Sequence, residues 1–122
     1  SRDYSMIKND KDTTIEELKQ LLMKFRNERR WGKFHTPKNL AQALSIESSE
    51  LMELFLWKKD SQIAAYLKKD DFRERVEDEI ADIFCYCLNF ANSTGIDVAR
   101  AITRKVKKNA KKYPTKKSYL GD

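Results

Sequence analysis

Residues 37–57, PKNLAQALSIESSELMELFLW, decide the fold. Leu40, Leu44, Leu51 and Phe55 fall at helical spacing and draw one apolar stripe. Thr36-Pro37 ahead of them reads as an N-cap followed by proline at the first helical position. The helix is expected to end near Trp57-Lys58. Glu47 breaks the pattern, because it falls inside the stripe, within roughly 40° of its centre on a helical wheel. Glu50 lies on the stripe's edge, one turn on and facing the same way.

A second stretch, VEDEIADIFCYCLNFA at 76–91, repeats the arrangement. Val76, Ile80, Ile83, Phe84, Cys87 and Ala91 form its stripe. Glu79 and Asp82, again three residues apart, lie on the flank, and Tyr86 continues that face. Asp70 or Asp71 is the expected cap of this helix, and Gly95 its natural C-cap.

Outward from these two segments the chain stays helical. Thr13 with Glu16, or Thr14 with Glu17, makes a capping box before Ile15, Leu18, Leu22 and Phe25. That first helix is expected to fray near Trp31-Gly32. Asp60 to Leu67 reads as a short helix with Ile63 and Leu67 inward. Asp97 caps a last helix carrying Val98, Ile102 and Val106 and ending before Pro114. Nothing alternates with a period of two for long, so the expected fold is all-α, an antiparallel four-helix bundle. Residues 13–114 form the helical domain, 1–12 are expected to be disordered, and 115–122 form a basic tail; Met6 is a candidate native start.

The 122 residues suit one domain, with 40% hydrophobic and 36% charged side chains and a mean hydropathy of -0.76. No apolar run approaches a membrane span and no signal peptide is visible, so a cytoplasmic location is expected. Cys85 and Cys87 are too close on a helix to share a zinc ion and read as reduced, mostly buried thiols. The net charge of +6 favours a polyanionic partner, nucleotide or nucleic acid.

Carboxylates on a core-facing stripe are costly unless protonated or paired. Two such pairs on neighbouring helices repel each other unless positive charge sits between them. Lysines and arginines would make that an ion network; a hard divalent cation would make it a metal site. Glu47, Glu50, Glu79 and Asp82 offer only oxygen donors, which suits Mg2+, or Mn2+, rather than zinc. Trp31 and His35 occupy the connection into the second helix, and Trp57 lies beyond Glu50 and Glu53 on their side. Such aromatics either sandwich a base or close the end of the bundle. On the last helix Val98 and Ile102 give way to Lys105, Asn109 and Lys112, a face able to deliver lysines to phosphates or simply to meet solvent.

The ordered string Trp31-x-x-Phe34-His35-x-Pro37-x-Asn39-Leu40, Glu47-x-x-Glu50-Leu51-x-Glu53-Leu54-Phe55-x-Trp57, Glu79-x-x-Asp82-x-x-x-Tyr86 and Lys105-x-x-x-Asn109-x-x-Lys112-Tyr113-Pro114 resembles the MazG-like nucleotide pyrophosphohydrolases. It is most similar to their dCTP pyrophosphatase branch. The resemblance implies magnesium ligands at Glu47, Glu50, Glu79 and Asp82, which are also the catalytic acids. It implies base contacts from Trp31, His35, Trp57 and Tyr86, and phosphate contacts from Lys105, Asn109 and Lys112. The implied reaction converts a nucleoside triphosphate, dCTP or a related deoxynucleotide, to monophosphate and pyrophosphate, as nucleotide-pool house-cleaning. The implied assembly is a homodimer or homotetramer with sites near subunit interfaces. Ile46 precedes Glu47 where MazG proteins place a second glutamate, and Asp78 precedes the second pair. The first departure favours the dCTP-hydrolysing branch.

Three rivals remain at this level. A basic helical nucleic-acid-binding module explains the charge but not acids on a core face. A purely structural dimerisation bundle would pair those acids with lysines. Related all-α dUTPases and phosphoribosyl-ATP pyrophosphohydrolases use similar acidic helices, which leaves the base open. With a nucleotide as the expected partner, neither membrane nor nucleic acid is expected.

Overall fold

The computed structural model describes Tyr4 and residues 8–115, and among these only helices and turns occur. Helix α1 spans Ile15–Glu28, a 3-10 turn follows over Gly32–Phe34, and α2 spans Pro37–Phe55. Then come the short α3 (Asp60–Leu67), the long α4 (Asp70–Thr94) and α5 (Val98–Lys112). No helix is long and apolar enough to cross a membrane.

The helix ends follow local chemistry. Thr14 Oγ1 accepts from the Glu17 N–H at 3.1 Å while Glu17 Oε1 accepts from the Thr14 N–H at 2.9 Å, a complete capping box. Thr36 and Asp97 cap α2 and α5 through their side-chain oxygens. Gly95 closes α4 in the left-handed region at φ 72°. One expectation needs correction: Lys69, not Asp70 or Asp71, is the N-cap of α4. Both aspartates sit in the first turn, where they favour the positive end of the helix dipole. Helix α2 stops at Phe55, two residues short of Trp57. There the Lys58 ammonium donates to the Leu54 carbonyl at 2.8 Å and lies over the rings of Tyr66 and Phe72.

Helix α4 is the spine, packed by α1, α2 and α3. Phe55, near the end of α2, meets Phe72 at the start of α4, whereas Glu47, further back, meets Glu79 further on, so the two helices run antiparallel. Leu40, Leu54, Phe72, Leu88 and Ala91 make the buried core. Helix α5 has no comparable packing partner among the described residues.

Parts of the expected stripes stay outside. Phe84 and Cys87 are exposed, Ile80 lies near the surface, and Ile102 and Val106 are also exposed. Cys85 is half-buried, so the expectation of two mostly buried thiols holds only for that one. The long helix has two apolar faces, and α2 covers only one of them. Residues 1–12 fall partly outside the described residues; within them Asn9 Oδ1 accepts from the N–H groups of Lys11 and Asp12 at 3.0 Å, forming a turn into α1. The basic tail, apart from Thr115, lies outside the described residues.

Candidate active site

The α2–α4 pairing sets Glu47 and Glu50 opposite Glu79. One carboxylate oxygen from each lies within 4.8 Å of the others. Glu50, the exposed member, is within hydrogen-bonding reach of both half-buried partners. One oxygen each of Glu47 and Glu79, Oε2 in both, is buried with no hydrogen-bond partner. Desolvation, then the Glu50 carboxyl, pushes Glu47 up to about 7 and raises Glu79 in the same direction. None of the ion pairs among the described residues reaches these acids; they join Lys8 to Glu17, Arg29 to Glu28 and Arg73 to Glu77. Among the described residues, then, no lysine or arginine forms an ion pair that balances them. Orphaned buried oxygens, an all-oxygen donor set and uncompensated negative charge fit a hard divalent cation.

Asp82 lies outside that set of three. It is near enough to raise Glu47 and Glu79 electrostatically, yet it lines the neighbouring cavity. That cavity, of about 310 Å³, opens between α1, the 3-10 turn and α4. Trp31, His35, Asp82, Tyr86 and Asn89 are among its walls, with Leu22, Phe25 and Arg26 contributed by α1.

The connection carrying Trp31 and His35 is built for this position. Helix α1 ends in a Schellman turn: the Trp31 N–H donates to the Arg26 carbonyl at 3.0 Å and the Arg30 N–H to Asn27 at 3.1 Å. Arg30 takes the left-handed conformation at φ 56° that this turn demands. The Trp31 ring meets Phe25 edge-on at 5.7 Å. On the other side Ser93 of α4 donates to the His35 carbonyl at 2.7 Å. Burial, then the nearby Arg26 charge, lowers the His35 pKa, which favours a neutral ring, and its Nδ1 is buried without a partner. Burial, then the negative potential of Glu47 and Asp82, raises the Tyr86 hydroxyl.

The structure thus gathers Glu47, Glu50, Glu79, Asp82, Trp31, His35 and Tyr86. It does not bring in the remaining four. Trp57 is 91% exposed beyond the end of α2, and so neither lines the cavity nor closes the bundle. Lys105, Asn109 and Lys112 stand exposed on α5 and are not among the cavity walls. Five wall residues carry no site signal in the sequence analysis: Leu22, Phe25, Arg26, Cys85 and Asn89. Leu22 and Phe25 passed as core of the first helix, and Asn89 passed unnoticed. A polar side chain interrupting the apolar run 87–91, CLNFA, is the same signal that singled out Glu47.

The MazG-like family model matches residues 42–120. The protein named dCTP pyrophosphatase 1 from Rattus norvegicus is 34% identical over 103 residues, covering 84% of this chain and 61% of its own length. Its Homo sapiens namesake is 33% identical over the same shares. The chain therefore spans about three-fifths of the length of these curated relatives. A pyrophosphatase from Archaeoglobus fulgidus, solved by crystallography, superposes with a TM-score of 0.78 at 39% identity, covering 90% of this chain and all of that one. With agreement in sequence over most of the chain and in fold over nearly all of it, the chain belongs to the MazG-like family.

Proposed function

We propose that the chain hydrolyses nucleoside triphosphates to monophosphate and pyrophosphate, with dCTP or a related deoxynucleotide as substrate and Mg2+, replaceable by Mn2+, as cofactor. The observation that carries this is the adjacency of an uncompensated three-carboxylate cluster and a cavity walled by Trp31, His35 and Tyr86. The names and fold of the relatives support the same reaction class.

Glu47, Glu50 and Glu79, with Asp82 beside them, would hold the divalent ion. Once bound, that ion supplies charge neutralisation at the phosphate oxygens and a more acidic water. Trp31 and Tyr86 offer ring surface to the nucleoside, and neutral His35 offers a hydrogen-bonding nitrogen without adding charge. Glu50, exposed and next to two acids, would accept the proton of the attacking water as its oxygen bonds to phosphorus and the α–β phosphoanhydride bond breaks to release pyrophosphate.

The phosphate-side residues come, in this reading, from a second copy of the chain. Helix α5 carries Lys105, Asn109 and Lys112 but leaves Ile102 and Val106 uncovered. Apolar side chains grouped on one unpacked helix mark an interaction face. A dimer or tetramer that buries α5 would bring positive charge toward the acids, which have no ion-pair partner among the described residues.

The deciding experiment incubates the purified chain with Mg2+ and a panel of ribo- and deoxynucleoside triphosphates and resolves the products. Monophosphate plus pyrophosphate, abolished by EDTA, is the expected result. Release of inorganic phosphate, or no turnover with Mg2+ or Mn2+, would overturn the reading.

A further inference from the structure

We propose that Asn89 reads the hydrogen-bonding edge of the nucleobase and sets which base the cavity accepts. The proposal rests on the cavity being the nucleoside site of a triphosphate hydrolase. Asn89 is 9% exposed and is the one buried polar residue among the described residues. It lines the cavity, and its carboxamide makes no hydrogen bond to another side chain or to the backbone among the described residues.

Neighbouring polar groups behave differently. Asn92 donates its amide to the Lys19 carbonyl at 3.1 Å. Ser93 donates to His35, and Arg26 donates to Asn27 Oδ1 at 3.1 and 3.2 Å. Each of these polar groups is used within the fold. Asn89 makes no such bond: in a residue otherwise buried, its carboxamide leaves an acceptor oxygen and two N–H donors open at the cavity wall. Polar atoms that face a cavity and are not used in the fold are available to a ligand that enters it.

Position along α4 says which part of the ligand. Glu79, Asp82, Tyr86 and Asn89 follow one another at intervals of three and four, so they share a face. Asn89 is seven residues past Asp82, a helical rise of about 10 Å. That is comparable to the reach from a nucleotide's α-phosphate to the outer edge of its base. With the phosphates at the acids, the base edge falls at Asn89. A cytosine presents an exocyclic amino donor beside the N3 acceptor. Asn89 Oδ1 accepts from the first and Nδ2 donates to the second, the two-point pairing by which a carboxamide reads an aminated base edge.

The test compares wild type, Asn89→Ala and Asn89→Leu, each checked for folding by circular dichroism melting. Steady-state kcat and KM are measured with Mg2+ for dCTP, dTTP, dATP and dGTP. Both variants are expected to fold, because neither removes a hydrogen bond made within the described residues. The kcat/KM for the preferred base should fall on the order of 10- to 100-fold, chiefly through KM, while the other bases change little. An equal loss on every base means a structural role and overturns the proposal. A wild type with no base ranking also overturns it, yet leaves triphosphate hydrolysis standing. If wild type turns over no triphosphate, the functional reading fails, and Asn89 is judged by titrating deoxycytidine, thymidine and deoxyadenosine calorimetrically. Base-selective binding that Asn89→Ala abolishes upholds its role; binding without selectivity, or none, overturns it.

Discussion

The Ser93 hydroxyl donates to the backbone carbonyl of His35 at 2.7 Å, which ties the loop carrying the cavity's aromatic wall to the helix carrying Glu79 and Asp82. Ser93 is neither one of the acids nor itself a lining residue of the cavity, so it acts through His35. Ser93→Ala leaves that carbonyl without its donor, a loss of about 1 kcal/mol. The expected result is a KM raised about fivefold with kcat nearly unchanged, because the loop is mispositioned while the acids are not. An equal fall in kcat would mean that the loop shapes the chemical step as well.

The acids carry the opposite signature. Glu50→Gln removes an acid from the cluster and Asp82→Asn one beside it, and no ion pair among the described residues reaches either, so neither should unfold the protein. Turnover should fall by roughly 100-fold or more. Circular dichroism checks the fold and product assays check the rate. A folded Asp82→Asn protein with full activity would sink the assignment.

Protons and metal compete for the same oxygens. Folded Glu47 keeps its proton up to about 7, against 4.5 for an unperturbed glutamate. Between those values the folded chain binds more protons than the unfolded one, so stability falls as pH rises. The melting temperature contributed by this group in EDTA should therefore drop across that window. Subtracting the profile of Glu47→Gln isolates the drop from other titrations. Mg2+ should raise the melting temperature more above pH 7 than below pH 5, because its ligands must be deprotonated. An Mg2+ effect independent of pH, in wild type and Glu47→Gln alike, would place the ion elsewhere.

Much of this was legible in the chain alone, for a physical reason. Helix-period stripes, the Thr14–Glu17 box, Thr36-Pro37, Asp97 and Gly95 are local signals, and local signals fixed the helices. Glu47 was legible because a carboxylate inside an apolar stripe contradicts burial energetics. What escaped depends on which face meets which neighbour. Periodicity makes Ile80 and Phe84 look like core, yet α2 packs against the other side of α4. Likewise Leu22 and Phe25 look like core, but the turn after α1 leaves them facing a cavity. Nothing local marks the α4 cap as Lys69, since two aspartates next to it are better capping residues by type.

The turn behind Trp31 offers a stability test away from the chemistry. Arg30 adopts φ 56°, where a side chain costs about 1–2 kcal/mol that glycine avoids. Glycine adds about 0.5–1 kcal/mol of chain entropy in return. Arg30→Gly should therefore stabilise the protein by up to about 1 kcal/mol in chemical denaturation, with the Schellman bonds of Trp31 and Arg30 retained. A loss of stability would mean that the Arg30 side chain does more than its backbone conformation requires.

The last prediction concerns α5, whose Ile102 and Val106 are 55% and 59% exposed. A lone chain gains nothing from holding two β-branched apolar side chains in water, where burying each is worth about 1.5–3 kcal/mol. If a second copy covers them, light scattering should find a dimer or larger species for wild type. Ile102→Asp with Val106→Asp should place charges in that interface and release monomer, since buried unpaired charge is prohibitive. Activity should fall with the assembly, because the site would lose the partner's lysines, even though neither residue lines the cavity. A monomeric wild type, or a monomeric variant that keeps full turnover, would show that one chain completes its own site and that the exposed face serves another purpose.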